Sequence, residues 1–232
     1  MTQEPLSLNV FRRELGLSMQ GLARQMYRDN AARFKVQKEG VAVRNLSNIL
    51  DATLTLANRK GFSAMSLRDL SEKTGMSLGG LYAYIGSKDD LVELIQGLGI
   101  ETTERVMQEQ TAGIADPVER LRHAIRVHLF LSEILRAWFY FSYMEARHLG
   151  AQQKQRAVAA ELHTETLYRE IIEAGQRAGQ YRETDPLMAA AMLKALLQDW
   201  YVKRNKFRDR NVDVEQYAES VIELMESYLK DE

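Results

Sequence analysis

The 232 residues are 45% apolar and 27% charged, enough for a sizeable core in one large domain or a small domain joined to a larger one. No cysteine occurs, which excludes disulfide frameworks, thiolate nucleophiles and thiolate metal sites and fits a cytoplasmic location. The net charge of −1 conceals a mildly basic front, 13 Lys/Arg against 10 Asp/Glu through residue 95, and an acidic remainder with 18 against 22. A basic front is compatible with phosphate binding.

Helical periodicity runs through nearly the whole chain and no stretch alternates as a strand does. The spacing predicts helices near 17–38, 44–60, 66–73, 77–84, 87–110, 117–136, 138–148, 152–178, 185–206 and 213–230. Asp116-Pro117 with Glu119, and Asp185-Pro186, each read as an N-cap followed by a first-turn proline, and Asp213 with Gln216 opens the last helix in the same way. The opening residues never build an apolar core segment, so no signal peptide is read there. The greasiest stretch, 128–144, holds Glu133 and Arg136 and falls short of the ~20 residues a membrane span requires. It reads as core helix, with no membrane partner.

At the front, Leu15, Met19, Leu22 and Met26 recur on one helix face. Arg12, Arg13, Arg24, Arg28, Arg33, Lys35 and Lys38 accompany them, against four acids in residues 1–43. Two readings stay open: an arm that adds phosphate contacts, or a helix docked on its own chain or a partner subunit with its charges solvated. The second is slightly favoured.

Residues 61–91 carry the chemistry. Ser66 can cap a short helix, with Asp69 closing a capping box, and Leu67 and Leu70 give it one apolar side. Gly75 stands where a tight turn favours positive φ, and Ser77 caps a second short helix on which Leu78, Leu81 and Ile85 recur. Two short helices about a glycine turn outline a helix-turn-helix, whose second helix enters the major groove. Gly79 and Gly80 leave little bulk there, so backbone amides can approach phosphates.

This segment resembles the DNA-binding region of TetR-type regulators, through Gly61, Phe62, Ser66, Gly75, Ser77, Gly79, Leu81, Tyr82, Tyr84, Ser87 and Lys88. The preceding helix fits as well, with Ile49, Leu50, Leu54 and Ala57 as its inner face. The resemblance implies an all-α protein: an N-terminal three-helix DNA-binding domain (44–90), here preceded by an extension (1–43), and a larger helical ligand-binding and dimerisation domain (91–232). It implies a homodimeric repressor on a palindromic double-stranded DNA operator, released by a small acyl or aromatic effector. Ser66, Tyr82, Tyr84 and Lys88 would touch phosphates, Ser77, Leu78 and Gly80 would face bases, and Arg44 and Gly79 complete the DNA-binding set. Ser71 stands where alanine is usual, Ile85 where an aromatic is usual, and Leu78 often corresponds to a longer polar residue. Direct base reading is therefore thin and DNA shape contributes more.

In the body, Ile125, His128, Leu129 and Ser132 share a helix face. With Phe141, Met144, His163, Leu167, Met192, Leu196 and Asp199 they form the candidate effector pocket, although a histidine on an apolar face is more often a satisfied core residue. Asp199 can instead pair with Lys203 one turn on. The basic run 203–210 reads as a solvated helix end, with an anionic ligand such as an acyl-coenzyme A as the speculative alternative. Val214, Tyr217, Val221, Leu224, Met225 and Tyr228 form a stripe suited to a dimer interface or, equally, to the subunit's own core. Gly97 and Gly99 suggest a bend in the helix joining head to body. His123 and His128 lie about 140° apart round a helix and cannot share a metal. His148 and His163 have no carboxylate at convincing spacing, so no metal and no cofactor are expected. No catalytic motif is visible, so an enzyme is not expected. The remaining alternative is a DNA-binding protein of the same fold without a small-molecule inducer, controlled by a protein partner or by DNA.

Overall fold

The computed structural model describes residues 6–145 and 151–230. The described residues form helices and connecting turns with no strand: α1 (Leu8–Leu15), α2 (Met19–Asp29), a 3-10 turn (Ala31–Arg33), α3 (Glu39–Lys60), α4 (Leu67–Thr74), α5 (Leu78–Leu81), α6 (Lys88–Thr111), α7 (Pro117–Ile134), α8 (Arg136–Glu145), α9 (Ala151–Arg177), α10 (Pro186–Val202), α11 (Arg204–Asp209) and α12 (Val214–Leu229). The chain is all-α, and the anticipated starts of α7, α10 and α12 are built as capped helix ends. The Asp116 carboxylate accepts from the Glu119 amide, Asp185 accepts from Leu187 and Met188, and Asp213 and Gln216 close a reciprocal box. Pro117 and Pro186 lie in the first turn, where no helical N–H is needed.

Several helices depart from the sequence expectation: the one expected over 17–38 ends at Asp29 and is followed by the 3-10 turn, α3 starts at Glu39 ahead of the expected 44, and the one expected over 77–84 is the single turn of α5. Leu8–Leu15 forms a helix of its own, ending where Gly16 takes a left-handed φ of 56°. Helix α10 stops at Val202 instead of running through residue 206, because Phe207 folds back onto Trp200 and Tyr217 with ring centroids 5.2 and 4.6 Å away. Burying an aromatic side chain there is worth roughly 2–3 kcal/mol, more than the few helical hydrogen bonds forgone.

The helices gather into two compact units. The body holds α1, residues 102–136, and α9 from Val158 onward with α10, α11 and α12; the head holds residues 16–101, Ala137–Glu145 and the start of α9. In the body, α7 packs on α1, α10 and α12. Phe11 is fully buried with its ring 6.1 Å from Phe130, and Arg126 makes a two-pronged ion pair with Glu219. The C-terminal stripe divides: Val214, Val221 and Met225 are buried in the body's own core, whereas Leu224 is exposed.

In the head, α3 packs on α2 and α4. The extension is docked here: Leu22, Ala23, Met26 and Tyr27 are buried, Tyr27 stacks on Phe34 at 5.9 Å, and Phe34 meets Tyr84 at 6.2 Å. Arg24 and Arg28 pair with Glu39, and Arg33 with Asp90 and Glu93. Lys35 and Lys38, like Arg12 and Arg13 of α1, are exposed and make no ion pair among the described residues.

Helix α6 runs unbroken through Gly97 and Gly99. Gly99 serves close packing instead of flexibility: a Cβ there would sit 2.4 Å from Nε1 of Trp138, whose indole donates to the Ile95 carbonyl at 3.0 Å. Gly97 faces open space. Gly97→Ala is therefore expected to stabilise the protein by about 1 kcal/mol. Gly99→Ala, which must displace the indole, is expected to destabilise it by ~2 kcal/mol despite the better helix former. Urea denaturation of both variants checks the pair, and equal effects would remove the packing explanation.

Candidate nucleic-acid interface and effector site

The recognition elements are assembled by short-range hydrogen bonds. At the start of α4, Ser66 Oγ accepts from the Asp69 amide at 3.1 Å and donates to its carboxylate at 2.7 Å, while the Ser66 amide donates to the same carboxylate at 2.6 Å. Lys60 Nζ lies 2.7 Å from Asp69, and these donors hold its carboxyl well below the usual range. Gly75 takes the left-handed conformation that ends α4, and Asn48 donates to the Thr74 carbonyl at 2.8 Å. Ser71 has a positive use: its hydroxyl donates to the Met76 carbonyl and braces the turn. Ser77 Oγ then accepts from the Gly80 amide at 3.1 Å and starts the single turn of α5.

Leu81 and Ile85 anchor this turn in the core, which aims the other side outward. Ser77 and Gly79 are exposed, Gly80 is half-buried, Leu78 is 38% exposed and Tyr82 is 47% exposed. Arg44 is exposed on α3. Arg68 and Lys73 on α4, which the sequence reading left out, are also exposed and make no ion pair among the described residues. For Arg68 a signal was available, since it lies off the apolar side set by Leu67 and Leu70.

Three expected phosphate contacts are used differently by the folded chain. Tyr84 is only 3% exposed, and its hydroxyl accepts from Asn45 Nδ2 at 2.8 Å. Lys88 donates to the carbonyls of Phe62 and Ser63 at 2.8 and 3.2 Å and lies over the Phe62 ring. Ser66 stays at the surface, but its hydroxyl proton is committed to Asp69.

The expected pocket residues do not converge. Phe141 packs edge-on against Phe62 at 5.6 Å, so it and Met144 belong to the head. His163 and Met192 face solvent, because the buried faces of their helices run through Thr164 and Tyr168 on α9 and through Leu193, Lys194 and Leu197 on α10. Asp199 pairs with Lys203 at 2.9 Å and also with Lys206, the pairing that the sequence offered as its alternative to an effector contact. Arg204 pairs with Glu133 and lies over Trp200, so most of the basic run is consumed internally. His148 lies outside the described residues.

Ile125, His128, Leu129 and Ser132 are buried on α7, with Leu167 and Leu196 half-buried. His128 faces Tyr168 on α9 with ring centroids 6.2 Å apart. Burial, then the nearby Lys194, keeps this imidazole well below its ordinary pKa. The Tyr168 hydroxyl is fully buried without a hydrogen-bond partner, and burial, then Tyr201, raises its pKa. Lys194 is only 8% exposed. Burial pulls its pKa down to about 8, against the opposing fields of Glu161 and Glu165. Sequence reasoning missed Tyr168, Lys194 and Tyr201, although Ala190, Lys194, Leu197 and Tyr201 recur at helical spacing and mark a lysine on an apolar face.

Comparison with known proteins agrees with this architecture. Residues 49–95 match the family described as bacterial regulatory proteins, tetR family, and residues 115–224 match the tetracyclin repressor-like C-terminal domain. The HTH-type transcriptional regulator HbdR of Aromatoleum sp. (strain CIB) is 24% identical over 181 residues, covering 78% of this chain and 79% of its own. The crystal structure of the TetR family regulator PfmR from Thermus thermophilus superposes with a TM-score of 0.70 at 24% identity, over 77% of this chain and 97% of that one. The structure of AibR in complex with isovaleryl coenzyme A and operator DNA gives 0.68 at 22% identity, over 76% and 95%. With its helix-turn-helix, its helical body and family matches to both, the chain belongs to the TetR family of transcriptional regulators.

Proposed function

We propose that this chain is a repressor that binds a palindromic operator as a homodimer in the cytoplasm and is released by a small effector held in the body. The observation that carries the reading is the pairing of an outward recognition turn, Ser77 to Tyr82, with a buried polar cluster, His128, Tyr168 and Lys194, inside an otherwise apolar body. A core built for stability alone has no use for such a cluster, since taking polar and charged groups out of water is costly. AibR, which shares the fold, has been crystallised with both an acyl-coenzyme A and operator DNA. Leu187, Met188 and Met192 of α10 and Leu224 of α12 are about half exposed and offer the body an apolar face for a second copy.

The test is fluorescence anisotropy of the purified protein on DNA from upstream of its own coding region, with and without a metabolite extract. Specific binding that the extract releases is the expected result. Specific binding that no extract disturbs would favour control by a protein partner or by DNA, with no small inducer.

A further inference from the structure

The extension sets a cation beside the recognition turn. In the head, the Lys35 amide donates to the Ala83 carbonyl at 3.0 Å, which seats Lys35 just past the end of α5, next to the exposed Tyr82. The backbone on either side of Lys35 is held firmly. Phe34 is buried against Tyr27 and Tyr84, with ring centroids 5.9 and 6.2 Å away. The Tyr27 hydroxyl shares its proton between the carbonyls of Val36 and Gln37, at 3.2 and 3.0 Å. The Lys35 side chain is exposed and makes no ion pair among the described residues.

The ion pairs that fasten this segment leave Lys35 out. Arg24 and Arg28 pair with Glu39, and Arg33 pairs with Asp90 and Glu93, which offsets two acids in the first turns of α6. Tyr84, expected to reach a phosphate from this end of the turn, lies buried against Phe34 and is bonded to Asn45. The same segment that covers Tyr84 thus presents a lysine one residue away, with three donors on a flexible four-carbon stem. We propose that Lys35 contacts a phosphate of the operator backbone flanking the groove that α5 enters. The extension then contributes to DNA binding as a docked part of the head and not as a free arm. Such a contact adds affinity and fixes register without reading sequence. This rests on the operator-binding reading above and adds a residue to its contact set.

The test uses a duplex that the wild-type protein selects from a random-sequence pool, beside a scrambled duplex of equal length. Full-length protein is titrated onto both by fluorescence anisotropy, over salt from about 0.05 to 0.3 M. Lys35→Gln is expected to bind the selected duplex about fivefold more weakly near 0.15 M salt, and to flatten the plot of log K against log salt by about one. The loss should be similar on the scrambled duplex, because a phosphate contact carries no sequence information. Lys35→Arg should retain both affinity and slope. Thermal midpoints of both variants should match the wild type, since the side chain is exposed. The Debye length near 0.15 M salt is about 8 Å, so a lysine remote from the DNA would leave the slope unmoved. Wild-type affinity and slope in Lys35→Gln, a loss of affinity without a change in slope, or a loss confined to the selected duplex would overturn the inference while operator binding stands. A wild-type protein that enriches no sequence from the pool would remove the operator-binding reading, and this inference with it.

Discussion

Replacing Gly79 with glutamate is expected to weaken operator binding by about 100-fold or more while leaving the thermal midpoint unchanged or slightly raised. Gly79 is exposed on the one-turn helix α5, and a Cβ added there meets nothing within 4 Å. Its φ lies outside the left-handed region, and glutamate is the better helix former, so the fold loses nothing. The new carboxylate would stand between Leu78 and Tyr82, on the face proposed to meet the phosphate-lined groove. Like-charge juxtaposition in such an interface costs several kcal/mol, and about 3 kcal/mol is already more than 100-fold in affinity. Anisotropy titration at fixed salt, paired with a thermal melt, separates binding from folding. Full affinity in the variant would mean that α5 does not enter the groove.

The second large effect concerns stability. Lys194→Met is expected to stabilise the protein at pH 7 by up to about 3 kcal/mol, since burial holds the lysine near pKa 8 against an ordinary 10.5 and each pKa unit is worth about 1.4 kcal/mol. The pH dependence gives the sharper signature. A lysine whose folded pKa is depressed disfavours folding fully below about pH 8, where it is charged in both states, and the penalty fades as pH rises toward 10.5. The advantage of Lys194→Met over the parent should therefore shrink between pH 8 and the region near pH 10 where unfolded tyrosines ionise. Urea denaturation of both proteins across that window measures it, and a constant difference would show that Lys194 is not a buried charge.

The parts of the fold that were legible in the sequence are those fixed by short-range chemistry. The caps at Asp116, Asp185 and Asp213, the capping box of Ser66 and Asp69, and the left-handed Gly75 each depend on neighbours within a few positions. What escaped depends on partners distant in sequence. Tyr84 is claimed by Asn45, Lys88 by the carbonyls of Phe62 and Ser63, and Phe141 by Phe62. Gly99 looked like a flexible point because glycine weakens helices, and only the placement of Trp138 shows why it is small. The periodicity of α9 and α10 identified residues sharing a face but not which face is buried. Helix α10 carries apolar residues nearly all round, so Met192 was placed inside and Lys194, two positions on, was overlooked.

In the proposed function the head reads a specific DNA site through α5. Hydroxyl-radical footprinting of the wild-type protein and Gly79→Glu on the upstream DNA tests it most directly. The expected result is a pair of protected blocks, related by a palindrome and separated by about one helical turn or a multiple of it, present with the wild type and absent with the variant. Uniform coating without sequence preference, or protection by Gly79→Glu identical to that by the wild type, would contradict it.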